Sequence, residues 1–140
     1  MQLGDNFKRG IETTLALLDE ALCEMEEWAR GREQRSVLYS ERNTLSAAQR
    51  DEILSEVAGM REMLRELQND LELQGRLRGG ANDIWGKCAV LAVNLEELKG
   101  RHLTRYGTPP QDLVEYLDPR VERLIASVNN IFRLVEKSKI

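Results

Sequence analysis

Aromatic side chains are scarce in this chain, seven residues or 5% of the total, and proline occurs only three times. There are two cysteines and one histidine. A lone histidine cannot make the usual nitrogen-rich zinc site. No Glu-x-x-His pair occurs either, which removes the carboxylate-bridged di-metal centre of ferritin-like bundles. A global basic excess is missing: the net charge is −4 and the isoelectric point about 5.2, so the chain lacks the electrostatic footprint of a typical nucleic-acid binder. Long apolar runs are missing too. The longest, Cys88 to Val93, has six residues, against the roughly 20 that cross a bilayer. The opening Met1-Gln2-Leu3-Gly4-Asp5 has no basic or apolar region, so no secretory signal is expected. Two cysteines without such a signal point to free thiols in a reducing compartment, and the cytoplasm is the default localisation.

What is abundant is helix-forming material: 21 Leu, 17 Glu and 15 Arg. The apolar share of 41% is too large for a disordered chain. Four stretches carry helical periodicity. The first begins near Asp5 as N-cap and places Phe7, Ile11, Leu15, Leu18, Leu22, Met25 and Ala29 on one face. Gly31 offers a stop, but nothing else up to Arg42 breaks a helix, so the expected end is about Arg42. The second starts at Ser46-Ala47-Ala48-Gln49, which fits a capping box, and carries Ile53, Val57, Met60, Leu64, Leu67 and Leu71. The third is capped by Asn82, carries Ile84, Cys88, Leu91, Leu95, Leu98 and His102, and closes at Gly107-Thr108-Pro109-Pro110. The fourth follows those prolines, with a restart and kink expected at Asp118-Pro119.

Short joints make consecutive helices antiparallel. The expected fold is therefore all-α: one helical-bundle domain over residues 1–140, an up-down-up-down four-helix bundle with a long first hairpin and a kinked fourth helix. A tight turn near Asn43 to Leu45 would set residues whose numbers total about 89 face to face. Leu18 would meet Leu71, Leu22 would meet Leu67, Met25 would meet Leu64, and Ala29 would meet Met60.

The chemistry-bearing residues form no catalytic set. Cys23 and Cys88 make no close-spaced motif, and the pairs Glu24/Glu27 and Glu62/Glu66 fall off the apolar stripes. Glu96-Glu97-Leu98-Lys99-Gly100 resembles the His-x-Leu-Lys-Gly core of histidine phosphotransfer domains. Glu96 stands where that family has its phosphorylated histidine, and a carboxylate cannot carry the phosphoryl group as an imidazole does. No enzymatic activity, cofactor or metal is expected. The reading that results is a non-enzymatic helical interaction module, protein-binding or self-associating. A first helix reaching Arg42 would overhang its neighbours and expose Val37, Leu38 and Tyr39 beside Ile53 and Leu54, a candidate docking site for a protein partner. The alternative is a small regulatory domain that binds a phosphate-bearing ligand or nucleic acid through Arg30, Arg32, Arg35, Arg76 and Arg78.

Overall fold

A computed structural model describes residues 2–140. Among these residues the regular elements are helical: α1 (Asp5–Ala29), α2 (Ala47–Leu71), α3 (Gly80–Glu96), the short α4 (Gly100–Leu103) and α5 (Gln111–Val135), with 3-10 turns at Thr104–Tyr106 and Glu136–Ser138. The fold is all-α. Where the sequence suggests one domain, the chain groups into two compact units, one ending at Arg76 and the other spanning Leu77–Ile140. Each is built on an antiparallel helix pair. No described helix is long and apolar enough to cross a membrane.

In the first unit α1 packs against α2. The capping box forms as expected: the Gln49 amide donates to Ser46 Oγ (3.1 Å) and the Ser46 amide to Gln49 Oε1 (2.9 Å). Every apolar stripe residue of α2 is buried or half-buried, with Val57 deepest. In α1, Leu22 and Ala29 are buried, whereas Phe7 and Met25 are exposed. A two-helix contact is narrower than the arc of this stripe, so its edge residues stay outside the seam. Glu26 faces α2 instead and pairs with Arg61. That pair, with the Gln74 amide donating to Glu12, sets register totals of 87 and 86. The expected total of 89 is displaced by less than one helical turn.

Helix α1 ends at Ala29, not near Arg42. Gly31 stops it at φ +102°, a left-handed conformation that glycine adopts without a Cβ penalty. The Gly31 amide donates to the Trp28 carbonyl (3.0 Å) and the Arg32 amide to that of Glu27 (2.9 Å). This is the paired closure of a Schellman C-terminus. Helices α1 and α2 are consequently equal, 25 residues each, and no helical overhang exists. The N-terminal expectation also shifts by one residue: Gly4 is the N-cap and Asp5 lies in the first turn.

In the second unit α3 packs against α5. Trp85 stacks on Phe132 with ring centroids 4.6 Å apart, and Cys88 and Val121 are buried in the same seam. Helix α3 starts at Gly80 and stops at Glu96, short of the expected span from Asn82 to Gly107. Asn82 is not a cap; its side-chain amide exchanges two 2.7 Å hydrogen bonds with the backbone of Ile140. The early stop follows from a close approach at Gly100. A Cβ there would lie 2.5 Å from Val114 Cγ1, and the Gly100 amide donates to Asp118 Oδ1 (2.9 Å). Asp118 is therefore not the cap of a restarted helix. Helix α5 runs unbroken through Pro119, and the Asp118 carboxylate turns across to α4.

Candidate functional site

The segment between α1 and α2, Arg30 to Ser46, contains Val37, Leu38 and Tyr39 of the predicted docking residues and the densest polar network of the first unit. Beyond Gly31 the chain folds into a small hairpin. The Glu41 amide donates to the Gln34 carbonyl (2.6 Å), the Ser36 amide to the Tyr39 carbonyl (2.7 Å), and Arg35 and Ser40 form an isolated antiparallel bridge. Val37 and Leu38 occupy the apex.

Asn43 ties the hairpin back to α1. Its side-chain Nδ2 donates to the carbonyls of Trp28 (2.7 Å) and Arg32 (3.0 Å), and its backbone amide donates to Glu33 Oε2 (2.9 Å). The Trp28 carbonyl, at the helix end, thereby accepts a second hydrogen bond beside the one from the Gly31 amide. Asn43 Oδ1 also accepts from the Leu45 amide (3.2 Å), which leads the chain into the α2 cap.

Glu41 is the centre of the network and is only 8% exposed. Arg32 donates to it from Nε (3.0 Å) and Nη2 (2.7 Å), Gln34 from its amide (3.2 Å), and Tyr39 from its hydroxyl. A buried carboxylate is tolerable when a guanidinium forks onto it and further donors fill its lone pairs. The hydrogen bonds from Arg32 and then Tyr39 hold the Glu41 carboxyl at about 2. The same contacts push the Arg32 guanidinium and the Tyr39 hydroxyl upward, mainly through Glu41. Arg32 also reaches Glu27 (2.9 Å) and lies over the Trp28 ring (5.1 Å to the centroid). Chemically the arrangement is a brace: it fixes a loop and offers no nucleophile or open coordination position.

Among the predicted partner-binding residues, Val37 is 92% and Leu38 100% exposed, and Tyr39 is 55% exposed with its hydroxyl held by Glu41. Ile53 and Leu54 are half-buried on the early turns of α2. At full exposure Leu38 rests on neither of them, so the apex and these two α2 residues are not one surface. Of the predicted anion-binding residues, Arg30 faces Glu26, Arg32 faces Glu41 and Glu27, Arg35 faces Glu33, and Arg78 faces Asp83. Arg76 follows α2 and is exposed. His102 is exposed and accepts from Arg101 Nε (3.1 Å). Glu96 sits among Lys99 and Arg101, whose cations lower its pKa, Lys99 most. Among the described residues no cluster of three or more His, Cys, Asp or Glu could hold a metal.

Sequence reasoning missed Glu41 and Asn43, the two residues that organise the loop. A signal was present, since the apolar period lapses after Ala29 and resumes only at Ile53, with Gly31 at the break. Comparisons of this chain with protein-family models, with curated proteins and with solved structures find no match.

Proposed function

We propose that this protein is a non-enzymatic protein-binding module of the cytoplasm, with the braced turn at Ser36–Tyr39 as its contact element. The observation that carries this reading is the pair Val37 and Leu38, 92% and 100% exposed, at the apex of a loop fastened below by a buried carboxylate. Covering two adjacent aliphatic side chains that stand in water is favourable, so a partner that docks on them gains by it. A loop already ordered by Glu41 and Asn43 loses little conformational freedom on docking, which favours affinity. The pairing of Arg30, Arg32, Arg35 and Arg78 with carboxylates leaves the anion-binding reading with less support. Free thiols at Cys23 and Cys88 fit a reducing compartment.

The test is retention of proteins from an extract of the source cells on three immobilised full-length chains: wild type, Val37→Ser with Leu38→Ser, and the control Leu77→Ser, which changes another exposed aliphatic (83%). A partner held by wild type and by the control, and lost with the double variant at unchanged helicity, is the expected result. Identical retention by all three chains overturns the reading.

A further inference from the structure

Helix α5 carries two apolar stripes where a surface helix needs one. The inward stripe, Val114, Leu117, Val121, Ile125, Val128 and Phe132, is buried or half-buried. The second stripe is Leu113, Tyr116, Leu124, Ile131 and Leu134, exposed at 41, 58, 54, 45 and 70%. At about 100° per residue these five fall within an arc of roughly 80°. They span about 32 Å of helix at 1.5 Å per residue. Helix α3 extends the same surface. Ile84 and Leu91, 43 and 48% exposed, are offset from the buried Cys88 by roughly −40° and −60°, as Leu124 and Ile131 are from the buried Val121 by roughly −60° and −80°. In an antiparallel pair, offsets of one sign lie on one side of the hairpin. The register set by Trp85 on Phe132 and Gly100 on Asp118 puts Leu91 level with Ser127, between Leu124 and Ile131.

We propose that this face is where a second copy of the chain docks, its α5 antiparallel to the first, about a two-fold axis near Leu124. Three features favour a second copy. A stripe centred on one residue is its own complement under a two-fold rotation, which is the requirement of an isologous interface. The charges agree as well: Asp112 lies beyond one end and Lys137 beyond the other, on the same flank, so each comes opposite the other in the second copy. Arg120, the one charged residue on the stripe, lies over its own Tyr116 ring (3.7 Å to the centroid) and comes opposite the small Ser127. Arg123 meets its mate only at the open edge, where solvent screens both. Finally, seven side chains near half exposure, with their flanking stems, approach the roughly 800 Å² per partner of a standard stable interface.

Sedimentation equilibrium of the full chain decides the association. Wild type is expected at twice the 16.0 kDa of one chain at micromolar concentration, and Leu124→Glu with Ile131→Glu at half that mass with unchanged helicity. A wild type that stays monomeric at 100 μM, or a double variant that stays dimeric, overturns the proposal. Cross-linking decides the geometry, with Cys23→Ser as background. Leu124→Cys, near the axis, is expected to oxidise to a covalent dimer, while Leu113→Cys, with its mate at the far end of the interface, is not. Cross-linking of both, which means a parallel pair, or of neither, overturns the arrangement. The loop reading fails separately: Val37→Ser with Leu38→Ser is expected to remain dimeric.

Discussion

The two hairpins solve one problem by different means. Both close a pair of antiparallel helices, and each buries few side chains completely. The first puts an ion pair, Glu26 with Arg61, into its helix seam and gains order from the polar network of its connecting loop. The second keeps an aromatic and aliphatic seam and draws its connection tight through a glycine set against a valine. Uncovered apolar surface differs accordingly: in the first it is the loop apex and scattered helix positions such as Phe7, Leu17 and Met25, in the second it lines a whole helix face. Loss of order should therefore be local and polar in one hairpin and a matter of packing in the other.

The largest expected effects test the packing. Leu22 has no exposed surface, and Leu22→Ala should destabilise the protein by about 2–5 kcal/mol through lost transfer energy and a cavity. Leu17→Ala, on the outer side of the same helix at 55% exposure, should stay within about 0.5 kcal/mol. Urea titrations followed by circular dichroism compare them, and equal effects would mean α1 is turned the wrong way. For the second hairpin, Gly100→Ala drives a methyl group to 2.5 Å from Val114 Cγ1, an overpacking expected to cost about 1–3 kcal/mol. Val114→Ala in the same chain should recover part of that loss. A double variant worse than the sum of the singles would remove the close contact as the cause.

How much of this was legible in the sequence differs between the hairpins for physical reasons. The stripe of α2 and its capping box were readable because periodicity and a local hydrogen-bond motif are properties of short segments. The end of α1 was not, because Gly31 had to be weighed against eleven following residues that tolerate a helix. What decided it was Asn43 returning to the Trp28 carbonyl of α1 and Glu41 holding Arg32 just beyond the helix end. In the second hairpin, Gly100 falls inside a span expected to stay helical to Gly107, and Asp118 reads as a cap. Their use is an approach between two helices, which no local pattern records. Val37, Leu38 and Tyr39 were identified as exposed, but on an overhanging helix; they stand exposed on a loop. The second stripe of α5 is present in the sequence, but periodicity alone cannot tell two adjacent faces from one broad one.

Acid sharpens the contrast at smaller amplitude. The Glu41 carboxyl, held at about 2 by Arg32 and then Tyr39, lies below its ordinary 4.5. Between those values the unfolded chain binds more protons than the folded one, so stability falls with pH. The contribution is complete above about pH 4.5 and fades as pH drops toward 2. Asp83 in α3 is also held at about 2, by Arg78 and then Lys87, but all three side chains are a third or more exposed. Salt should screen the Asp83 effect and spare the buried Glu41 pair. Each hairpin has its own tryptophan, Trp28 and Trp85, and single-tryptophan variants read them separately. The expected result is an acid transition at Trp28 that persists in 1 M salt and disappears in Glu41→Gln. A transition equally salt-sensitive in both hairpins would remove the loop carboxylate from its special place.

The smallest expected effect is none at all. Cys23 is exposed on α1, with Arg61 Nη2 donating to its sulfur at 3.7 Å, and Cys88 is buried in the α3–α5 seam; both are free thiols. Adding dithiothreitol should leave the melting temperature unchanged, and a fall of several degrees would reveal a bridge that the free thiols exclude. The same two residues time the opening of the hairpins. A thiol reagent should modify Cys23 in the native protein at once. Cys88 should react only as fast as its seam opens, because a thiol shielded by packing waits on local unfolding. Gly100→Ala, which loosens that seam, should then speed Cys88 modification and leave Cys23 unaffected. Should Cys88 react as quickly as Cys23 in the unaltered protein, the second hairpin would lack the packed interior that distinguishes it from the first.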